Sequence, residues 1–172
     1  SEVITAASQN SPHTLDIELD PANTPFVCYL DGNNTNRLNI MYKNSESWVS
    51  ENIGAQWSAS QCDMAIDTSA NLYIVMSKLQ DHKLMLVSKK NGSWSESILD
   101  TDVPDACYPR IEISPMGVIH VSYQKADGLM HLIQCQSPVL MTALGPVPTT
   151  HDMKTAPDGI THFAYVNSSN ER

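Results

Sequence analysis

One stretch of sequence recurs four times along this chain, and the repetition constrains the fold more than any other feature. The tetrads DIEL, DMAI, RIEI and DMKT begin at residues 16, 63, 110 and 152, so successive copies start 47, 47 and 42 residues apart. Ten residues after each start comes a second apolar run, which reads FVCY, YIVM, HVSY or HFAY. Self-similarity at a period of roughly 20–50 residues is typical of proteins assembled from one repeated supersecondary unit.

Each full copy predicts four short strands. A third run (LNIM, LMLV, LMHLI) and a fourth (SWVSENI, SWSESI and a degenerate SPVLMTAL) follow in three copies. A helix through residues 72–87 is disfavoured, because the aligned copies place turn residues such as Asp31-Gly32 and Asp127-Gly128 inside it. Four strands per repeat indicate an all-β fold, a β-propeller built from four-stranded blades of about 42–47 residues.

The repeat also predicts how the chain is divided. We expect one propeller domain over residues 1–172, with an outer strand at 1–4, blades at 13–53, 60–99 and 107–144, and a partial blade at 150–166. SEVI at 1–4 matches SENI at 50–53, so the two ends carry complementary parts of one blade. Three interpretations stay open: a four-bladed ring in one chain, an eight-bladed ring closed by a homodimer, and a piece of a longer protein.

The composition excludes some partners and leaves the compartment open. The net charge is −9, and the ten Lys and Arg residues are scattered, which argues against nucleic-acid binding. No apolar run approaches the ~20 residues of a membrane span. Residues 1–15 show neither a basic start nor a long apolar stretch, so no signal peptide is predicted, and secreted and cytoplasmic locations both stay open.

The sequence contains no recognisable catalytic or cofactor motif. GxSxG, HExxH, a phosphate loop and a Gly-rich dinucleotide fingerprint are all missing, and the four cysteines lack metal-type spacing. We therefore expect a binding protein rather than an enzyme, with no cofactor and no metal. Free thiols are expected, although Cys62 and Cys107 precede equivalent strands and a pairing between blades stays open.

Candidate ligand-binding residues lie in the longer loops. In a four-stranded meander, the loops after the second and fourth strands share one face, and binding residues gather on such loops. We call this the loop-rich face. Trp48 and Trp94 occupy one repeat position and are predicted to pack between blades, whereas Trp57 has no repeat equivalent. The predicted site residues are Trp57, Asp81, His82, Asp105, Tyr108 and His151.

A second polar group is predicted at the centre of the ring. Asp16, Asp63, Arg110 and Asp152 share the first position of the repeat, and first strands line the axis of a propeller. Three carboxylates and one guanidinium converging there would form an ion-pair network or a polar channel. In a glycan-active enzyme they would supply the acid and base groups, because crowded carboxylates raise one pKa.

The repeat resembles those of bacterial propellers in the BNR-like and sialidase-like group, including the fucose-binding lectins of the Photorhabdus type. Residues 63–67, 120–123 and 93–98 carry the likeness. The resemblance implies multivalent sugar binding between blades, whereas the missing sialidase box and arginine triad give no support to sialidase activity. We therefore expect a non-catalytic, lectin-like propeller. The alternatives are a protein-interaction scaffold using the same face and a glycan hydrolase.

Overall fold

The computed structural model describes residues 14–31, 36–53, 59–78, 81–134, 140–146 and 148–167. Within these ranges the regular elements are strands, and no described helix has the length and hydropathy that crossing a membrane requires. In chain order the strands are β1 Leu15–Leu19, β2 Pro25–Asp31, β3 Arg37–Asn44, β4 Ser47–Asn52, β5 Ala59–Ile66, β6 Leu72–Lys78, β7 Lys83–Lys90, β8 Ser93–Thr101, β9 Arg110–Ile113, β10 Ile119–Lys125, β11 Gly128–Gln134, β12 Leu140–Gly145, β13 Pro148–Thr155 and β14 Thr161–Asn167.

Each full repeat forms one antiparallel sheet. Sheet 1 has the order β1-β2-β3-β4, sheet 2 the order β5-β6-β7-β8 and sheet 3 the order β9-β10-β11-β12. The fourth repeat contributes a two-stranded sheet, β13-β14, which we call sheet 4. The predicted all-β class is confirmed, and the strands pair with their neighbours in sequence, as in a meander. The predicted outer strand at 1–4 lies outside the described residues.

Short turns fix the register of these sheets. Between β7 and β8, Asn91 and Gly92 have φ of 51° and 78°, the conformation of the two-residue turns that match the twist of a hairpin. Between the first two strands of sheets 1 and 2, the carboxylates of Asp20 and Asp67 accept backbone N–H groups two and four residues further on. Because these bonds join residues close together in the chain, each of the two repeats fixes the ends of its own first two strands.

The sheets follow one another through their first strands. β1 contacts β5, β5 contacts β9, and β9 contacts β13. Two apolar cores fill the spaces between sheets 1 and 2 and between sheets 2 and 3. Their inner members include Cys28, Ile40, Met64, Ile74 and Met76 in the first core, and Val75, Leu86, Ile111, Val121 and Tyr123 in the second. Because both faces of sheet 2 are covered, β6 is buried along almost its whole length.

One side-chain bond recurs at the joints between the sheets. Asp16 Oδ2 accepts the backbone N–H of Met64 at 2.9 Å, and Asp63 Oδ2 accepts that of Ile111 at 2.8 Å. In both cases the carboxylate at the first repeat position holds the backbone of the next sheet. Asp16 and Asp63 are thus structural parts of the joints.

Sheet 4 is joined to sheet 3 partly by imidazole rings. His120 Nδ1 lies 3.2 Å from His131 Nε2 and 3.1 Å from Thr161 Oγ1. The ring of His131 meets the ring of Phe163 edge-on, with 4.7 Å between the centroids. Burial lowers the pKa of both histidines, that of His131 to about 4, so the pair is neutral near pH 7.

The described cysteines, Cys28, Cys62 and Cys107, are free thiols, and Cys62 does not pair with Cys107. Cys62 lies beside Cys28, with the sulfur atoms 3.6 Å apart, rather than beside Cys107. The reason is that Cys62 faces sheet 1, whereas Cys107 belongs to the core between sheets 2 and 3. Cys135 lies outside the described residues.

We expect Met64→Ala to lower the free energy of unfolding by about 2–5 kcal/mol, because it opens a cavity between sheets 1 and 2. Met64 is 1% exposed and belongs to the first core. Urea unfolding followed by circular dichroism measures the effect. Met116→Ala is the matched control, since Met116 is 78% exposed and should change the free energy by less than about 0.5 kcal/mol. Equal effects of the two substitutions would contradict this account of the core.

Candidate functional site

The first strands of the four sheets line a common cavity of about 490 Å³. The four residues of the predicted axial cluster all line it. Arg110 lies between two of them, with Nη1 4.0 Å from Asp63 Oδ1 and Nε 3.8 Å from Asp152 Oδ1. The structure therefore brings these sequence-predicted residues together around one partly charged cavity.

A second polar layer, which the sequence analysis missed, lies two residues further along the same strands. Glu18, Glu112 and Lys154 also line the cavity, and Lys154 Nζ bonds Glu112 Oε1 at 2.5 Å. Burial raises the pKa of Glu18, and the neighbouring Asp16 carboxylate raises it further. The sequence does carry a signal for this layer. Residues two apart in a strand share a face, and Glu18, Glu112 and Lys154 each follow a first repeat position by two residues.

Asp63 is the titratable centre of this cavity. Burial raises its pKa from an ordinary 3.8 to about 7, and the Asp16 carboxylate adds to the effect. The N–H of Ile111 and the guanidinium of Arg110 lower the pKa but offset this only in part. A proton therefore exchanges on this carboxyl near neutral pH. Within the described ranges, no group of three or more His, Cys, Asp or Glu is placed to hold a metal ion.

The predicted residues of the loop-rich face separate into a pair and single positions. His82 Nδ1 lies 3.7 Å from Asp105 Oδ1, and both side chains are substantially exposed. Asp81 instead pairs with Lys78 at 2.8 Å. The Tyr108 ring is exposed, and its backbone N–H donates to Gln61 Oε1 at 2.5 Å. The structure thus brings together His82 and Asp105 but gives Asp81 a separate partner.

The two remaining predicted residues have different outcomes. Trp57 lies outside the described residues. His151 is 4% exposed rather than free on a loop, because β13 begins at Pro148 and carries the ring into the interior. Burial lowers the pKa of His151 to about 4, and the nearby Arg110 lowers it as well. A neutral buried imidazole is unsuited to first contact with a ligand from solvent.

A groove between sheets 1 and 2 is the better-formed candidate. Its volume is about 290 Å³, and aromatic side chains from both sheets line it together with a few polar groups. Phe26 and Tyr42 stack with 5.4 Å between ring centroids on the sheet 1 side. Trp94 faces them from sheet 2 and rests against the first core. Small-molecule sites commonly combine apolar walls with a few placed polar groups in this way.

Glu51 is the polar centre of the groove. Its Oε2 accepts from Lys89 Nζ at 2.6 Å, and its Oε1 accepts from Trp94 Nε1 at 2.8 Å. Lys89 also lies 5.3 Å from the centre of the Trp94 ring. Burial raises the pKa of Glu51, but the bonds from Lys89 and Trp94 outweigh burial, so the pKa lies below its usual value. The carboxylate is therefore ionised and held in one orientation near pH 7.

The arrangement supplies both acceptors and donors beside an aromatic wall. Glu51 and Lys89 are each 29% exposed, so ligand can reach both charged groups. A carboxylate with spare lone pairs accepts hydroxyl protons, and an ammonium group donates to hydroxyl oxygens. Aromatic faces add contact area for the C–H surface of the same ligand. Neighbouring hydroxyls on a compact ring match this combination of groups.

This groove was not predictable from the repeat alone, because its parts come from different repeats. The repeat predicts packing between blades for Trp94 and a place in the fourth strand for Glu51, but it does not predict the contact between the two side chains. The bond between them spans 43 residues and joins the fourth strands of sheets 1 and 2. The available signal is the recurring Trp of the fourth strand, Trp48 in β4 and Trp94 in β8, together with Glu51 in β4, once neighbouring sheets are placed side by side.

Comparison with known proteins finds similarity of fold alone. No protein-family model and no curated protein matches the sequence. A fucose lectin from Kordia zhangzhouensis, solved in complex with methyl-fucoside, matches 76% of this chain and 98% of its own, with a TM-score of 0.51 and 15% identity. A triple arginine-to-alanine mutant of AofleA from Arthrobotrys oligospora matches 86% of this chain and 47% of its own, with a TM-score of 0.63 and 11% identity. The predicted lectin-like resemblance is confirmed at the level of the fold.

Asp63→Asn should change the pH dependence of stability. The folded pKa of Asp63, about 7, lies above the ordinary 3.8, so its contribution to stability is present at low pH and lost as the pH rises through 7. Between about pH 4 and pH 8 we expect wild type to lose roughly 2–4 kcal/mol relative to the variant. Urea unfolding at several pH values measures the difference. A difference independent of pH would contradict the assignment, and Asp158→Asn in an exposed turn is the control.

Proposed function

We propose that this protein is a non-catalytic, carbohydrate-binding β-propeller that holds sugar in the grooves between its blades. Each four-stranded sheet is then one blade. Two findings support the proposal. The fold is similar to that of a fucose lectin solved with methyl-fucoside, and the groove between sheets 1 and 2 has the chemistry that a sugar ring needs. A second copy of the chain is the proposed partner that completes the ring.

The observation that carries the proposal is the Glu51 carboxylate held between Lys89 Nζ and Trp94 Nε1 in an aromatic groove. In this proposal Glu51 accepts protons from one or two sugar hydroxyls, and Lys89 donates to a neighbouring hydroxyl oxygen. Phe26, Tyr42 and Trp94 contact the apolar face of the ring. Since both charged groups are already fixed by each other, binding orders few additional side chains, which favours affinity.

The loop-rich face is a second proposed contact region for a larger glycan. His82 and Asp105 lie close enough there to act together, with the His82 side chain exposed and the Asp105 Oδ1 atom that faces it buried. Tyr108 offers an exposed aromatic ring on the same stretch of chain. A protein-interaction role is the second candidate function, favoured by the exposed apolar side chains of Leu15, Ile17 and Leu19 in β1. The axial carboxylates are assigned to the joints between blades rather than to catalysis.

We expect Glu51→Gln to weaken binding of methyl-fucoside by about 10-fold or more, since a hydrogen bond to a charged group contributes ~1.5–3 kcal/mol. Isothermal titration calorimetry measures the affinity, and a glycan array identifies the sugar if another one binds better. The control is Glu96→Gln, the same change at an exposed residue of β8 that does not line the groove. Wild type that binds no sugar on the array would overturn the proposal. So would equal affinities of wild type and Glu51→Gln for the sugar that does bind.

A further inference from the structure

One face of sheet 1 is exposed at a position of the repeat, Ile17, that is buried in every later sheet. Ile17, Met64, Ile111 and Met153 share one position of the repeat. The last three are 1%, 3% and 4% exposed, whereas Ile17 is 58% exposed. Its neighbours on the same face of β1, Leu15 and Leu19, are 65% and 55% exposed. We call these three residues the leading face.

The backbone of β1 shows the same difference. The N–H groups of Met64 and Ile111 donate to the first-position aspartates of the preceding sheets, Asp16 and Asp63. The equivalent N–H of Ile17 donates at 2.8 Å to the side chain of Asp16, its own neighbour in the chain. β1 therefore carries both the apolar surface and the backbone donor of a joint, without a preceding carboxylate from another sheet.

Sheet 4 presents the other half of that joint. Asp152 occupies the first repeat position, and its side chain is 80% exposed, whereas that of Asp63 is 17% exposed. Ala164 is also exposed, although the equivalent Cys28, Val75 and Ser122 are fully buried against a following sheet. We call Asp152, His162 and Ala164, which are all exposed, the trailing face.

We propose that the trailing face of one copy of this chain packs on the leading face of a second copy, and that two such contacts close one ring. The Asp152 carboxylate of each copy then accepts the Ile17 N–H of the other, as Asp16 does for Met64. The proposal deepens the proposed propeller and rests on it, because it takes the joint between sheets as the unit of assembly. Two identical head-to-tail contacts that close on themselves give a two-fold ring.

A second copy fits better than closure within the chain. In the single chain the leading face stays exposed, and β13 contacts β9 and β10. Propellers typically have ~4–8 blades. Two copies of this chain, each with three full sheets and one partial sheet, stay within that range. The similarity in fold to AofleA supports a ring made of two copies, since the match spans 86% of this chain but only 47% of that one.

The experiment measures mass by light scattering during size exclusion. Wild type should elute at twice the 19.0 kDa of one chain. Ile17→Glu places a carboxylate opposite Asp152, and Ala164→Arg blocks the other half of the contact. Each variant should elute as one chain with an unchanged circular dichroism spectrum, because both positions are exposed in the single chain.

Mixing the two variants separates a blocked face from a misfolded chain. Ile17→Glu keeps an intact trailing face and Ala164→Arg an intact leading face, so an equal mixture should recover a two-chain species. Wild type at the mass of one chain, or a mixture that stays at one chain, would overturn the proposal. The groove of Glu51 lies within one chain, so methyl-fucoside binding by the single-chain variants tests the proposed function separately.

Discussion

The whole arrangement depends on a hydrogen bond that the backbone N–H of one sheet donates to an aspartate side chain of the preceding sheet. Sheets that pack through apolar faces alone can slide, because the hydrophobic effect is not directional. The bonds from Met64 N–H to Asp16 and from Ile111 N–H to Asp63 fix the register of adjacent first strands. Each carboxylate lines the cavity shared by the first strands, where desolvation makes a satisfied acceptor valuable and an unsatisfied one costly. The apolar cores between the sheets then fill a space whose dimensions are already set.

The groove between sheets 1 and 2 is a consequence of that spacing. The first strands of adjacent sheets contact one another and line one cavity. Aromatic residues and the Glu51–Lys89–Trp94 group occupy the space that opens between the sheets. The groove therefore has lining residues different from those of the first-strand cavity, and the carboxylate bonds hold together the two sheets that form it.

Much of the fold was predictable from the sequence, because the repeat aligns strands whose hydrogen bonds are local. The four strands of sheets 1 and 2 and the shared cavity position of Asp16, Asp63, Arg110 and Asp152 follow from that alignment. The contact between Glu51 and Trp94 did not follow, because it depends on which side chains meet across two sheets. The burial of His151 was missed for a different reason: β13 begins several residues before the repeat would place it. Likewise, the neighbour of Cys62 is decided by the face on which each sulfur lies.

Arg110 gives the last joint a different physical character. A guanidinium has no lone pair to offer, so the N–H of Met153 donates to its own neighbour Asp152, and Arg110 holds sheet 4 through charge instead. The Asp152 side chain is largely exposed, and attraction between exposed charges weakens as dissolved ions screen it over a Debye length of ~8 Å in physiological salt. Bonds between a carboxylate and a buried N–H are far less sensitive to such screening. The chain thus has two joints held by bonds that salt affects little, followed by one in which dissolved ions weaken the attraction between Arg110 and Asp152 while the imidazole contacts of sheet 4 persist.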